Sequence, residues 1–226
     1  MRPLWIGVMT TVLAAACAPS TGPVTEPAHT SSPAHPTTVN PANIKRLSRE
    51  LPAGYEVTRD IPAGAAPRVI WSLGSNASAQ PAPCALFADP GNGRGQSAQG
   101  VSGSGAGGIV DAVVVAVPPP GPAMPGDAQV AGCARWTMSD GHTSAAIRLI
   151  DPPHIDGAPT LAMVADIRTS VESGTEIDSR TYTFIAYLGD YYAFTTLTTD
   201  PGSMLPPLPA QFAADLLVKT VSAVRG

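Results

Sequence analysis

The chain is poor in charge. Only 13% of its 226 residues are Asp, Glu, Lys or Arg, and the formal net charge is -4. Its longest cationic cluster, Lys45, Arg46 and Arg49, falls where one short helix would carry it on a solvent face. A nucleic-acid partner needs a basic patch that neutralises several phosphates, so this class is excluded. Histidine is scarce as well: His29, His35, His142 and His154 are the whole set. The first two lie in a Pro/Thr/Ser-rich tail that offers no fixed ligand geometry. His142 follows a turn and reads as solvated. His154 is better placed, in Asp151-Pro-Pro-His154-Ile-Asp156, but that stretch is equally an ordinary rigid turn. No metal and no other cofactor is expected.

Catalytic motifs are also missing. Residues 91–108 hold eight glycines, and Gly103, Gly105 and Gly108 have the spacing of a dinucleotide-binding loop. That fingerprint needs a strand before it and a helix after it. Here a polar Gly/Ser run precedes it and the apolar run Ile109 to Val117 follows, so a mobile surface loop is expected. The segment has no Gly-x-Ser-x-Gly elbow. Asp166, Glu172, Glu176 and Asp178 lie on or near one hairpin and read as a solvated strand face rather than a glycosidase pair. The chain is therefore read as a non-enzyme, with an envelope hydrolase as the competing class.

Long apolar runs are absent too. Leu4 to Ala16, behind Arg2, is too short to span a bilayer as a stable helix. It ends Leu13-Ala14-Ala15-Ala16-Cys17, which reads as a lipoprotein-type export signal over residues 1–17, with Cys17 lipidated after cleavage. An ordinary secretory signal with an incidental cysteine, or a retained membrane helix, are the alternatives. Of the three cysteines, one is odd in an exported protein. If Cys17 is the anchor, Cys84 and Cys133 can pair in an oxidising compartment. Their bridge would close a loop worth up to ~4 kcal/mol on the chain-entropy account. Two buried free thiols are the competing reading. Residues 18–41 have almost no large apolar side chain and form a tether.

What the chain does have is strands, and they centre on Thr181 to Thr199. Two runs rich in aromatic and β-branched residues meet at Gly189-Asp190, a dipeptide suited to a type II′ turn. That turn sets the register: Leu188 faces Tyr191, Tyr187 faces Tyr192, Ala186 faces Ala193 and Ile185 faces Phe194. Neither face of the hairpin is polar, so both are expected to be covered. Other strands are expected near Gly54 to Val57, Arg68 to Leu73, Ile109 to Val117, Cys133 to Met138, Thr143 to Ile150 and Leu161 to Val171. Cys84 to Phe87 reads as a helical turn. Ile44, Leu47 and Leu51 make the apolar face of a short N-terminal helix. Phe212, Leu216, Leu217, Val221 and Val224 make that of a C-terminal helix over Leu208 to Arg225. Strand follows strand without intervening helices, which means antiparallel pairing. The expected domain, residues 42–226, is an α+β unit: one antiparallel sheet of about six strands, flanked by an N-terminal and a C-terminal helix.

The lipobox-like start, the Thr/Pro tether, Cys84 and Cys133, and the closing segment TYTFIAYLGDYYAFTTLTTDPG…LPAQFAADLLVKTVSAVRG together resemble a family of mycobacterial lipoproteins of unknown function. They are distantly similar to the extracellular sensor domain of a mycobacterial membrane serine/threonine kinase. The resemblance spans roughly residues 41–226 and brings no catalytic residue with it. It implies an anchored, extracytoplasmic, sensor-like domain with a cleft, although the kinase domain has two disulfides and this chain has cysteines for one. The expected function is ligand or partner binding in the cell envelope: membrane attachment through lipid, and a small apolar ligand or another envelope protein as partner. A purely structural accessory role is the third possibility. If the glycine-rich 91–108 and proline-rich 118–126 loops cover the hairpin incompletely, Tyr187, Tyr192 and Phe194 would line an apolar groove. Otherwise these three are core.

Overall fold

The computed structural model describes residues 38–59, 61, 66–95, 97–171 and 173–226. Cys17 and most of the tether lie outside the described residues. In chain order the elements are a 3-10 helix at Pro41–Arg49, β1 (Glu56–Thr58), α1 (Pro67–Ile70), β2 (Ser78–Gln80), a 3-10 turn at Ala82–Cys84 running into α2 (Ala85–Ala88), β3 (Ser97–Gly105), β4 (Gly108–Ala116), α3 (Asp127–Gly132), β5 (Arg135–Ser139), β6 (Thr143–Ile150), β7 (Thr160–Ser170), β8 (Glu176–Leu188), β9 (Tyr191–Thr199) and α4 (Ala210–Arg225).

The strands make one antiparallel sheet in the order β1-β3-β4-β9-β8-β7-β6-β5-β2. Nine strands stand where about six were expected. β5 to β9 form a meander that starts at the far side and returns, so that β9 closes against β4. The β8–β9 register is the one the turn demands, with Leu188 opposite Tyr191 and Ile185 opposite Phe194. Gly189 sits at φ +69°, as the first central residue of a II′ turn requires.

Two local expectations are corrected. The glycine-rich stretch is not a surface loop: residues 97–105 are β3, paired along their length with β4. Its glycines leave room for a close crossing. A Cβ on Gly105 would lie 2.4 Å from the Tyr55 ring, and one on Gly103 would lie 2.7 Å from Leu51 Cδ1. The bare backbone lets the end of the N-terminal helix and the residues after it lie directly on the strand. The segment Arg68 to Leu73 is not extended either; it begins as α1. Pro67 presets the first turn, and Trp71 and Leu73 are driven inward, at 0% and 2% exposure. So short an apolar run does not separate helix from strand by period.

The sheet has a core on each face. On the helix face, α4 lies against β4, β9 and β8. Ala213 and Ala214 keep its contact side thin, and Thr195 Oγ1 donates to the Ala213 carbonyl at 2.7 Å. Leu216, Leu217, Val221 and Val224 bury here beside Phe184, Ala186 and Leu197. The N-terminal helix joins the same face through Ile44, Leu47 and Leu51. The Asn40 amide donates to the Val224 carbonyl at 2.7 Å, and Lys219 pairs with Glu50 at 2.7 Å. Both terminal helices therefore share one side, so the short helix does not help to cover the other.

The second face is covered by residues 66–88. Trp71 and Phe87 pack there with Trp136, Met163, Ile185 and Phe194. The Trp71 indole donates to Thr183 Oγ1 at 3.2 Å. Cys84 and Cys133 are bonded, which ties this cap to the end of α3. Asp140, in the β5–β6 turn, accepts the amides of Gly74, His142 and Thr143 at 2.9, 3.0 and 2.8 Å. These backbone donors, the Gly74 amide first, hold its carboxyl below the usual carboxylate range.

Candidate functional site: the open half of the sheet

The expected groove residues are core. Tyr192 and Phe194 are 1% and 0% exposed, with ring centroids 6.0 Å apart, and Tyr187 is 6% exposed. Burial raises both tyrosine hydroxyls well above the ordinary value of 10. The cap of residues 66–88 fills the space that a groove would have occupied. The two loops expected to cover this hairpin face imperfectly do not decide its exposure, because a different segment covers it. His154 pairs with Asp156 at 3.0 Å on the surface. Its loop anchors the end of α4, since Arg225 donates to the carbonyls of Asp156 and Gly157.

The open surface lies elsewhere. Over β5, β6, β7 and the first half of β8, no described helix covers the side of the sheet that carries α4. There the strands alternate strictly. Trp136, Met138, Ala145, Ile147, Ala165 and Ile167 point into the core under the cap. Arg135, Thr137, Ser144, Ala146, Arg148, Asp166, Arg168, Asp178 and Arg180 point out and are exposed.

The register orders these side chains into rows that cross the strands. One row reads Gln80, Thr137, Ala146, Asp166, Arg180. The next reads Ser78, Ser139, Ser144, Arg168, Asp178. On the other side of the first row, Arg135 stands opposite Arg148. The floor is thus made of Thr, Ser and Ala, and the longer charged side chains stand around it. Side chains too short to fill the space above a twisted sheet leave a concavity. It measures about 590 Å³ around Thr137, Ser144, Ala146, Asp166, Arg168 and Pro201. A second hollow of about 410 Å³ adjoins it at Gln80, Arg135, Thr137 and Arg148.

Charge on this face is arranged in pairs along β7 and β8. Arg168 bonds Asp178 at 3.0 Å and Glu176 at 3.4 Å, and Arg180 bonds Asp166 at 2.6 Å. The hydrogen bond that Arg168 donates to Asp178 is the main cause of the raised value of its guanidinium, and the one that Arg180 donates to Asp166 does the same for Arg180. These pairs are exposed, so they orient the face more than they stabilise it. None of these residues is a nucleophile with an adjacent base, and the arrangement suits recognition by hydrogen bonds and charge. The sequence carried a signal for this face, namely polar residues at period two in four successive strands. Reading the carboxylates alone as a solvated face missed the arginines and the small residues between them.

With this geometry in view, the chain belongs to the family described as Domain of unknown function (DUF5642), whose model matches residues 40–225. No curated protein matches it. The fold is similar to that of an uncharacterized protein (Rv0999 ortholog) from Mycobacterium smegmatis, known from its X-ray structure: TM-score 0.60 at 21% identity, covering 84% of this chain and 98% of that one. The crystal structure of the extracellular domain of PknH from Mycobacterium tuberculosis matches at TM-score 0.42 and 12% identity, over 83% and 92% of the two chains.

Proposed function

We propose that this is a lipid-anchored envelope protein whose domain binds a ligand or partner, without chemistry, on the open half of its sheet. The observation that carries this reading is the uncovered, concave, polar face over β5 to β8, built from small residues ringed by charge. A strand face with no binding role needs neither a hollow floor nor four arginines. The anchor rests on the short apolar run before Cys17. The Cys84–Cys133 bridge supports an oxidising compartment outside the cytoplasm. Among the described residues no helix is long and apolar enough to cross a membrane.

The test is a thermal-shift screen of envelope metabolites, glycans and peptides on the wild-type chain and on Ala146→Trp, which fills the concavity from its floor. A ligand that raises the wild-type melting temperature and leaves Ala146→Trp unmoved supports the reading. A ligand that shifts both equally places binding elsewhere. Turnover of ester or peptide substrates that survives Ala146→Trp would instead make the protein a hydrolase with another site.

A further inference from the structure

The arginines of the open face are not equivalent. Arg168 and Arg180 each have carboxylate partners. Arg135 and Arg148 have none among the described residues. They are direct cross-strand neighbours on β5 and β6, on the same side of the sheet, and both are exposed. Directly opposed residues of an antiparallel pair hold their Cβ atoms about 5 Å apart, and like charges so placed destabilise the sheet. The fold thus maintains a repulsive pair beside a hollow of about 410 Å³, at a point where a Glu or Asp on either strand would have relieved it.

We infer that Arg135 and Arg148 form the seat for a phosphate group of a soluble ligand, resting on the reading of this face as the binding surface. Each guanidinium presents a planar fork of N–H donors that takes two oxygens. Two forks on adjacent strands ask for more oxygens than a carboxylate has, and a phosphate supplies them. Thr137 lies next to Arg135 on the same side of β5, and Gln80 is its cross-strand partner on β2. Together they add a hydroxyl and an amide along the rim, groups that pair with hydroxyls on the rest of a phosphorylated ligand. Asp166, at the far side of the hollow, is already occupied by Arg180 and keeps the anion near the free arginines.

The experiment titrates inorganic phosphate into the full chain at low salt, followed by the arginine side-chain NMR signals, with acetate as the competing anion. The variants are Arg135→Gln, Arg148→Gln and Lys219→Gln, the last a surface cation on α4. Saturable phosphate binding is expected that moves the Arg135 and Arg148 signals. It should weaken about tenfold in either arginine variant, as the loss of one charge-assisted fork implies, and stay unchanged in Lys219→Gln. Because the variants remove a repulsion, their ligand-free melting temperatures should equal or exceed that of the wild type. No binding, equal weakening by Lys219→Gln, or acetate binding as tightly as phosphate overturns the seat. So does a fall in melting temperature with binding unchanged. Flotation with phosphatidylglycerol vesicles separates a soluble ligand from a lipid headgroup: arginine-dependent flotation overturns the soluble assignment. A screened ligand lost in Ala146→Trp but retained in Arg135→Gln leaves the binding face standing and removes the phosphate seat.

Discussion

At the residue scale, the most informative side chains are buried polar ones. Asp111 on β4 is 5% exposed and has no cationic partner among the described residues; Thr196 Oγ1 donates to it at 2.7 Å, and Ser102 donates as well. Burial raises its carboxyl above 3.8, and the two hydroxyls only partly offset this. The folded state therefore holds this proton more tightly than the unfolded chain. Stability falls as pH rises from about the ordinary value to the raised one. Asp111→Asn keeps the shape and removes the charge. It should flatten that part of the pH profile and match or exceed the wild type at neutral pH, measured by urea unfolding across pH 4 to 8. The Tyr187 hydroxyl is buried with no partner among the described residues. Tyr187→Phe should therefore cost nothing or stabilise. Tyr192→Ala, by contrast, should cost ~3–5 kcal/mol as a truncated core aromatic. A loss near zero for Tyr192→Ala would reopen the groove at these residues.

At the element scale, two devices hold pieces that have little stability of their own. The four-residue helices α1 and α2 would not persist alone. They stay because Trp71 and Phe87 are buried and because Cys84 is bonded to Cys133, 49 positions away. Replacing both cysteines by Ser should cost ~2–4 kcal/mol, read as a lower urea midpoint, with hydrogen exchange rising first in residues 66–88. The other device is the glycine surface of β3. Gly105→Ala would push a methyl into the Tyr55 ring. It should cost ~1–3 kcal/mol as overpacking, and Tyr55→Ala in the same chain should recover part of the loss. Full stability in Gly105→Ala would mean that the crossing is loose.

At the scale of the whole molecule, the fold divides its surface unevenly. The two terminal helices lie together over β4, β9 and β8, and the cap lies over the opposite side. Nothing described remains for the outer strands on the helix side, which is why the open face lies there. The proposed attachment through Cys17 is tested separately from the binding face. Cys17→Ala should move the protein from the membrane fraction to the soluble envelope fraction, and mass spectrometry of the wild type should find lipid on that residue. Equal membrane association of both, with no lipid on the wild type, would remove the anchor.

The amino-acid sequence by itself determined what depends on neighbours in the chain. The Gly189-Asp190 turn set the β8–β9 register, because a two-residue loop admits only one pairing. The period-two and helical patterns placed β4 to β7, β9 and α4 within a residue or two, whereas β8 starts at Glu176, well before the expected Thr181. Cys84 and Cys133 were expected to pair once Cys17 is set aside, and they are bonded. Only the tertiary structure decided which element covers which face. That choice depends on volumes meeting at long range, such as Tyr55 on bare glycines and Trp71 against Thr183. For the same reason β3 read as a loop: its strand character comes from β4 and from what lies on it, not from its own residues. The candidate site escaped notice on the same ground. Arg135 and Arg148 are 13 positions apart in the chain, and only strand pairing puts their charges face to face.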